Sequence, residues 1–239
     1  MRLDRLLANM GYGSRKEVKK LLKEGAVTVD GEVVKDGKVH VNPKEQTIFV
    51  YQEEVNYQPY IYLMMNKPKD VICATDDEVH VTVIDLLDEK YQKYRPFPVG
   101  RLDKDTTGLL LITNDGAFSH EMMSPKKEVP KTYIAQVQGK VTEEDVKKFQ
   151  DGVTLDDGYM TKPAKLEILR SGAVSFVRVT LTEGKFHQVK RMFQAVGKRV
   201  LELKRIQIGG LCLDENLREG EYKELSEEEM LLLKEKNHS

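Results

Sequence analysis

The sequence is short of several features that would assign a protein class at once. It has no tryptophan, two cysteines among 239 residues, a formal net charge of -1 and no long apolar run. Cys73 and Cys212 are far apart and in no metal-binding or redox spacing, which argues against a zinc site or a disulfide framework. The short apolar runs, including those after the N-terminal arginines, favour neither export nor membrane spanning. We therefore expect a protein of the reducing cytoplasm with one large domain or two smaller ones.

The near-neutral total charge covers an uneven distribution. Residues 1–23 carry seven Arg or Lys against two acids, residues 184–205 carry seven against one, and residues 214–239 carry nine acids against four bases. Attraction to phosphate depends on local charge, so two basic stretches can be two contacts with one polyanion. Ordinary solvated faces would give the same composition.

The first forty residues have the pattern of a small module of helices and strands. Leucines at helical spacing precede Gly11, and Ser14 with Glu17 has the spacing of a capping box before a second helix, which Gly25 ends. The dipeptide Asp30-Gly31 predicts a hairpin between short β-branched runs. On the second helix, apolar residues occupy one side, and the opposite side forms a lysine stripe of Lys16, Lys19, Lys20 and Lys23.

This module resembles the S4 type of RNA-binding domain. The matching segments are "RLDRLL" at 2–7 and "SRKEVKKLLKEGAVTVDG" at 14–31, with the valine run that follows. Val18 and Asp30 are mild departures, since a small residue and Asn are usual there. The resemblance implies that Arg15 and the lysine stripe contact structured RNA through phosphate and shape. The bland alternative is a small helical domain that binds nothing.

The remaining chain predicts a larger second domain. Residues 51–60 are polar, aromatic and aperiodic, and we expect them to be a linker between an RNA-binding domain at 1–50 and a catalytic domain at 61–239. Strand-like runs recur from "YIYLMMNKP" to "ELKRIQIGGLCL", with helical patterns at 81–87, 141–150 and 186–197. Such alternation predicts an α+β fold with a mixed, mainly antiparallel sheet flanked by helices.

The segment "GRLDKDTTGLLLITNDG" at 100–116 places charged residues directly before a strand that reads as buried on both faces. Asp103 therefore belongs to a loop anchored to the core, where a carboxylate needs a cationic or hydrogen-bonding partner. Arg101 and Lys190 are candidate partners. One interpretation is that Asp103 and Asp105 only cap turns. Another is the D-x-D-x-T pattern of aspartyl phosphotransferases, but there the strand should precede the aspartates, and here it follows them.

A third interpretation comes from resemblance to the RsuA family of RNA pseudouridine synthases, which modify ribosomal RNA. The match includes "VGRLDKDTTGLLLITNDG", "MNKPKDVICAT", "KTYIAQVQG" and "EGKFHQVKRMFQAVGKRVLELKRIQIGG", in the family's order and over nearly the whole chain. The reaction breaks the bond between ribose C1′ and uracil N1 and rejoins C1′ to C5. The resemblance therefore implies no cofactor and no metal, and fingerprints of neither occur in the sequence.

The resemblance also implies roles for particular residues. Asp103 would act beside the sugar, either attacking C1′ or taking a proton from C2′. Tyr133 would stack on the extruded base, and Lys190 would hold the carboxylate ionised. We expect His187 to make a structural hydrogen bond. The expected RNA contacts of this domain are Arg101, Arg191 and Arg205.

The sequence of the basic segment at 183–192 gives an indication of the substrate. "EGKFHQVKRM" is more similar to the small-subunit enzymes than to large-subunit relatives, which commonly have an arginine-rich version without the histidine. This favours the uridine 516-type site of 16S rRNA, as free RNA or in an assembling small subunit, with the protein acting as a monomer. The alternatives are a large-subunit rRNA pseudouridine synthase and a non-enzymatic RNA-binding or ribosome-assembly factor.

Overall fold

The computed structural model describes residues 1–235. In it the chain forms two compact units. Unit 1 contains residues 1–61 together with 88–96, and unit 2 contains residues 62–87 and the chain from 97 onward. Unit 1 thus includes residues 51–60, for which the composition predicts a linker. Part of that stretch is a short strand, Glu53–Glu54. Within residues 1–235, no helix is long and apolar enough to cross a membrane.

Unit 1 has three short helices and a four-stranded sheet in the order β2-β1-β3-β4. Its elements are α1 (Leu3–Asn9), α2 (Arg15–Lys23), β1 (Val27–Val29), β2 (Glu32–Val33), β3 (Ile48–Val50), β4 (Glu53–Glu54) and α3 (Glu89–Gln92).

The local signals of unit 1 act as the sequence predicts. Ser14 N–H donates to Glu17 Oε2 at 2.6 Å and Glu17 N–H donates to Ser14 Oγ at 3.4 Å, which is the capping box at the start of α2. Asp30 and Gly31 both have positive φ, 51° and 86°, as a tight hairpin turn requires. The apolar side of α2 is buried among the α1 leucines, so the predicted helix, its cap and its core-facing side are confirmed.

Unit 2 is built on one large sheet with strand order β13-β5-β7-β11-β8-β10-β9; β6 also pairs with β7, and β12 with β11. Its strands are β5 (Tyr62–Lys67), β6 (Phe97–Val99), β7 (Thr107–Thr113), β8 (Lys131–Gln138), β9 (Lys165–Arg170), β10 (Val174–Leu181), β11 (Arg199–Ile208), β12 (Leu211–Cys212) and β13 (Tyr222–Glu224). Its helices are α4 (Gly116–Met123), α5 (Glu143–Asp151), α6 (Gln188–Ala195) and α7 (Glu227–Leu232).

The sheet is mixed, because β7 and β11 run parallel while the other strand pairs are antiparallel. This confirms the predicted α+β class. Two apolar clusters bury the sheet: one packs Phe149 of α5 and Phe193 of α6 against β8 and β10. The other packs Phe118 and Met122 of α4 against β5 and β7. Strand β7 is buried along its whole length, as its run of apolar residues predicts.

Residues 81–87 form a turn, so the helix predicted there is wrong. Thr82 N–H donates to Asp85 Oδ2 at 2.8 Å, and Asp85 N–H donates to Thr82 Oγ1 at 3.3 Å. These reciprocal side-chain bonds satisfy the backbone within one turn and compete with a continuing helix. Val83 and Leu87 are buried from this turn. The spacing of the apolar residues in 81–87 therefore indicates which side chains are buried, but the backbone there does not form a helix.

Candidate active site

Asp103 lies in the loop between β6 and β7. Its neighbour Leu102 is buried and anchors the loop, and Thr106 N–H donates to the Asp103 carbonyl oxygen at 3.0 Å, closing a turn before β7 begins. The Asp103 side chain is 27% exposed. The loop thus fixes this carboxylate at the end of a fully buried strand while leaving one side of it open.

A lysine from α6 meets this carboxylate. Lys190 Nζ lies 3.1 Å from Asp103 Oδ2 and 2.6 Å from Asp105 Oδ1, and its side chain is 22% exposed. His187 Nε2 lies 3.4 Å from Asp103 Oδ1. Arg101, the other candidate partner, is exposed. Of the residues singled out in the sequence, the structure therefore brings together Asp103, Lys190 and His187.

The electrostatics of this cluster favour the charged forms of Lys190 and Asp105. Burial acts to lower the pKa of Lys190, but the hydrogen bonds and charges of Asp105 and Asp103 outweigh it and raise that pKa above its ordinary value. The hydrogen bond from Lys190 holds the pKa of Asp105 below its usual range. One ammonium group thus contacts two carboxylates.

Lys67 lies beneath the loop and was not singled out in the sequence. Lys67 is 0% exposed, and its Nζ donates to the carbonyl oxygens of Pro68 at 2.9 Å, Lys104 at 3.2 Å and Thr106 at 2.8 Å. Burial lowers the pKa of this ammonium group. The bonds to Lys104 and Thr106 hold the loop on both sides of Asp105. The only sequence signal was a lysine at the end of an apolar strand, just before Pro68.

Cys73 contacts the same loop from another side. Its Sγ accepts the Leu102 N–H at 3.3 Å, and burial raises the pKa of its thiol. Cys212 is exposed. A neutral, half-buried thiol beside Leu102 supports the loop backbone immediately before Asp103.

Strand β11 approaches β7 closely where the loop ends. Gly108 has φ +104°, and a Cβ built on it would collide with the carbonyl oxygen of Arg205, its partner in the parallel pair. Arg205 is only 3% exposed, and its Nε donates to the Leu109 carbonyl oxygen at 2.8 Å. Arg205 is predicted from the sequence to contact RNA, whereas in the structure its side chain is buried and bonds the backbone of the neighbouring strand.

Two other predicted site residues occupy different surroundings. Tyr133 is half-buried on β8, which is separated from β7 by β11. Arg191 follows Lys190, but its guanidinium lies 2.6 Å from Asp156 Oδ1 and 2.8 Å from Asp157 Oδ2. Its Nη1 also donates to the Phe186 carbonyl oxygen at 3.0 Å. Arg191 thus stabilises the segment before α6, whereas Lys190 reaches the carboxylates.

In unit 1, the predicted RNA-contacting side chains are all exposed on α2. The lysine stripe lies opposite the buried Val18 and Leu22, and Arg15 is exposed at the first residue of the helix. Lys20 makes a long contact of 3.8 Å with Glu24. An ion pair between two such exposed side chains contributes little and leaves the stripe available to phosphate.

The cluster around Asp103 can therefore present one oriented carboxylate to a substrate. Lys190 lies against this carboxylate, and the buried Lys67 and Leu102 keep its loop in place. No group of three His, Cys, Asp or Glu side chains among residues 1–235 is arranged to hold a metal ion. Such an arrangement suits nucleophilic or proton-transfer chemistry by a carboxylate.

Comparison with known proteins identifies the family. A model of the RNA pseudouridylate synthase family matches residues 61–195, and a model of the S4 domain matches residues 1–47. A crystal structure of a pseudouridylate synthase is 38% identical, with a TM-score of 0.69, and the match covers 98% of this chain and 99% of that chain.

Curated relatives match over the same extent. An uncharacterized RNA pseudouridine synthase, YtzG of Bacillus subtilis (strain 168), is 52% identical across 98% of this chain and 99% of the relative. Ribosomal small subunit pseudouridine synthase A of Escherichia coli (strain K12) is 40% identical across 96% of this chain and 98% of the relative. With both domain models matched in order and relatives of this identity over nearly its full length, the chain belongs to the RsuA family of RNA pseudouridine synthases.

Proposed function

We propose that this enzyme converts one uridine of 16S ribosomal RNA, at a uridine 516-type site, to pseudouridine, with Asp103 as its catalytic carboxylate. The observation that carries the catalytic assignment is the ion pair of 3.1 Å between Asp103 Oδ2 and Lys190 Nζ. It joins the loop before β7 to α6, two segments that both lie within the matched family region.

The chemistry asks for this kind of group. The glycosidic bond from C1′ to N1 breaks, the uracil turns, and C1′ bonds to C5, so the product is an isomer of the substrate. A carboxylate acting at the ribose must be ionised and held at a fixed position. Lys190 supplies the positive charge, and Lys67 and Leu102 hold the loop.

The base must leave the helical stack before a side chain can reach its sugar, which costs a few kcal/mol, roughly what stacking on one aromatic ring returns. We assign that stacking to Tyr133, which is half-buried on β8. Arg101 is exposed two residues before Asp103, and we assign it to the RNA phosphates. Arg15 and the lysine stripe of α2 supply a second, sequence-independent RNA contact.

The substrate class rests on the relatives. Proteins 40% to 42% identical to this chain are named ribosomal small subunit pseudouridine synthase A. We propose the same RNA for this chain, free or in an assembling small subunit, and a cytoplasmic monomer as the acting form. Mapping pseudouridine in ribosomal RNA from cells with and without this protein tests the substrate. Loss of a 16S pseudouridine is expected, and loss only from large-subunit RNA would contradict the assignment.

The Asp103→Asn variant tests the catalytic role. The amide keeps the shape of the carboxylate but neither attacks C1′ nor accepts a proton, so pseudouridine formation should fall at least about a thousandfold. RNA affinity should stay close to that of the parent, measured by filter binding. Asp151→Asn, which changes an exposed carboxylate at the end of α5, is the matched control and should retain activity. An active Asp103→Asn enzyme would refute the assignment.

A further inference from the structure

The phenyl ring of Phe186, next in sequence to His187 of the Asp103 cluster, is exposed to solvent. Phe186 is 75% exposed, although phenylalanine is among the residue types most often buried. Its ring stacks on the imidazole of His187, with ring centroids 3.7 Å apart and planes 18° from parallel. His187 Nε2 in turn lies 3.4 Å from Asp103 Oδ1. The imidazole therefore connects an exposed aromatic face to the catalytic carboxylate.

The backbone holds this ring outward by several independent contacts. His187 has left-handed backbone angles, φ 48° and ψ 36°, which a residue other than glycine adopts at a cost of about 1 kcal/mol or more. The Phe186 carbonyl oxygen accepts from Arg191 Nη1 at 3.0 Å. The buried Gln188 accepts the Lys185 N–H at 2.8 Å and donates to Glu183 Oε1 at 2.8 Å. These contacts fix the backbone on both sides of Phe186, and its ring is exposed on this fixed segment.

We infer that the Phe186–His187 pair is a stacking platform for an unpaired base next to the target uridine, an inference that rests on the proposed function. The family's substrate is RNA, and an extruded nucleotide leaves neighbouring bases with an uncovered face. A flat aromatic surface can accept either purine or pyrimidine there, because every base has a π-face. The occupant is a nucleobase, since the family acts on RNA and the exposed face of the stacked pair is aromatic.

The platform differs in role from Tyr133. Tyr133 is half-buried on β8 and is assigned to the base that reacts, whereas Phe186 lies outside the carboxylate cluster on the segment before α6. Its removal should therefore weaken binding of the RNA and leave the chemical step intact once RNA is saturating. A role in chemistry would lower the rate at saturation.

The experiment combines a protein variant with a missing base. Single-turnover pseudouridine formation is measured on an oligonucleotide that carries the mapped uridine, with an abasic site at its 5′ or 3′ neighbour. Phe186→Leu should raise the half-saturating RNA concentration about 5- to 100-fold, and Phe186→Tyr should change it less than about twofold. Leu169→Ala, at an exposed apolar position of β9, is the matched control and should behave like the parent.

Combining the Phe186→Leu enzyme with the abasic RNA gives a double-mutant cycle that tests whether Phe186 stacks on that base. At one of the two neighbours, the abasic site should weaken binding to the parent enzyme by the same factor as Phe186→Leu and should cost the Phe186→Leu enzyme nothing further. Equal losses for parent and variant at both neighbours would overturn the platform. The proposed function has its own tests and fails if the mapped uridine is not in 16S RNA or if Asp103→Asn is active. The stacking experiment can still be done on whichever uridine the enzyme modifies.

Discussion

Lys67 shows how one buried charge can organise a loop, here the loop that carries Asp103. Its ammonium group replaces water with three carbonyl oxygens at 2.8 to 3.2 Å, two of them on the loop that carries Asp103. Burying a lysine is costly unless its donors are satisfied, and here three donors meet three acceptors. The arrangement fixes the loop by hydrogen bonds at the point where β7 begins.

Lys67→Met should therefore destabilise unit 2 and misplace Asp103. The methionine fills the volume but removes the donor to the carbonyl oxygens of Pro68, Lys104 and Thr106, which should lower the free energy of unfolding by about 1 to 3 kcal/mol. Urea denaturation followed by circular dichroism measures this, and pseudouridine formation should fall together with it. Lys69→Met is the control, because Lys69 is exposed and pairs with Glu202 across solvent. Equal stability of the two variants would contradict the role of Lys67.

Single residues also show where sequence reasoning reached the site and where it stopped. The charged segment beside a buried strand predicts a partner for Asp103 but leaves Arg101 and Lys190 open. The family resemblance selects Lys190, and that pair is present in the structure at 3.1 Å. Lys67 and Asp105 were missed as members of the cluster, because their contacts depend on tertiary packing over distances that no local pattern encodes. Arg205 was expected at the surface. Its burial results from the parallel pairing of β11 with β7, which the local sequence does not reveal.

Among the secondary-structure elements, α5 is held at its start by a buried ion pair. Thr142 N–H donates to Asp145 Oδ2 at 2.9 Å, and Lys198 Nζ lies 2.9 Å from the same oxygen. Burial acts to raise the pKa of Asp145, but the bonds from Lys198 and Thr142 prevail and lower it. Because the pKa is lower in the folded state, the pair stabilises the protein above the ordinary carboxylate pKa, and that stabilisation is lost as pH falls through the folded value.

Asp145→Ala should lower the free energy of unfolding by about 1 to 3 kcal/mol at pH 7, because Lys198 and the Thr142 N–H lose their acceptor. The difference from the parent should shrink below about pH 4, where the unfolded carboxylate is protonated. Urea titrations at both pH values measure it. Glu144→Ala, one position earlier and paired with Lys148 in solvent, is the control. A difference that does not change with pH would contradict the ion pair.

The elements themselves were largely predictable where periodicity and end signals agreed. Thr142 and Gly152 flank α5, and Gly197 follows α6, as the sequence predicts. The turn at 81–87 and the helix α4 were not predicted. In the first, Thr82 and Asp85 satisfy each other locally, and in the second, apolar residues are distributed around Gly116–Met123 without a clear amphipathic period. Local pattern fails where side-chain bonds or neighbouring strands decide the backbone.

For the chain in its entirety, net charge says nothing about the ligand, whereas the placement of charge does. The total is -1, yet α2 of unit 1 carries five exposed basic residues, four of them in the lysine stripe. The carboxylate cluster belongs to unit 2. RNA affinity and RNA chemistry are thus assigned to different units of the same chain, and they should respond to different substitutions.

Replacing the four residues of the lysine stripe with glutamine should weaken RNA binding without slowing the chemical step. Each lysine that contacts a phosphate releases counterions on binding, so the slope of log affinity against log salt should fall by about 2 to 4. Filter binding to 16S RNA across a salt series gives the slope, and single-turnover assays at saturating RNA give the rate. The control replaces four exposed lysines of unit 2, Lys140, Lys147, Lys148 and Lys165. Because both variants lose the same total charge, an equal slope for the two would mean that RNA attraction follows net charge, and the stripe on α2 would then have no specific role.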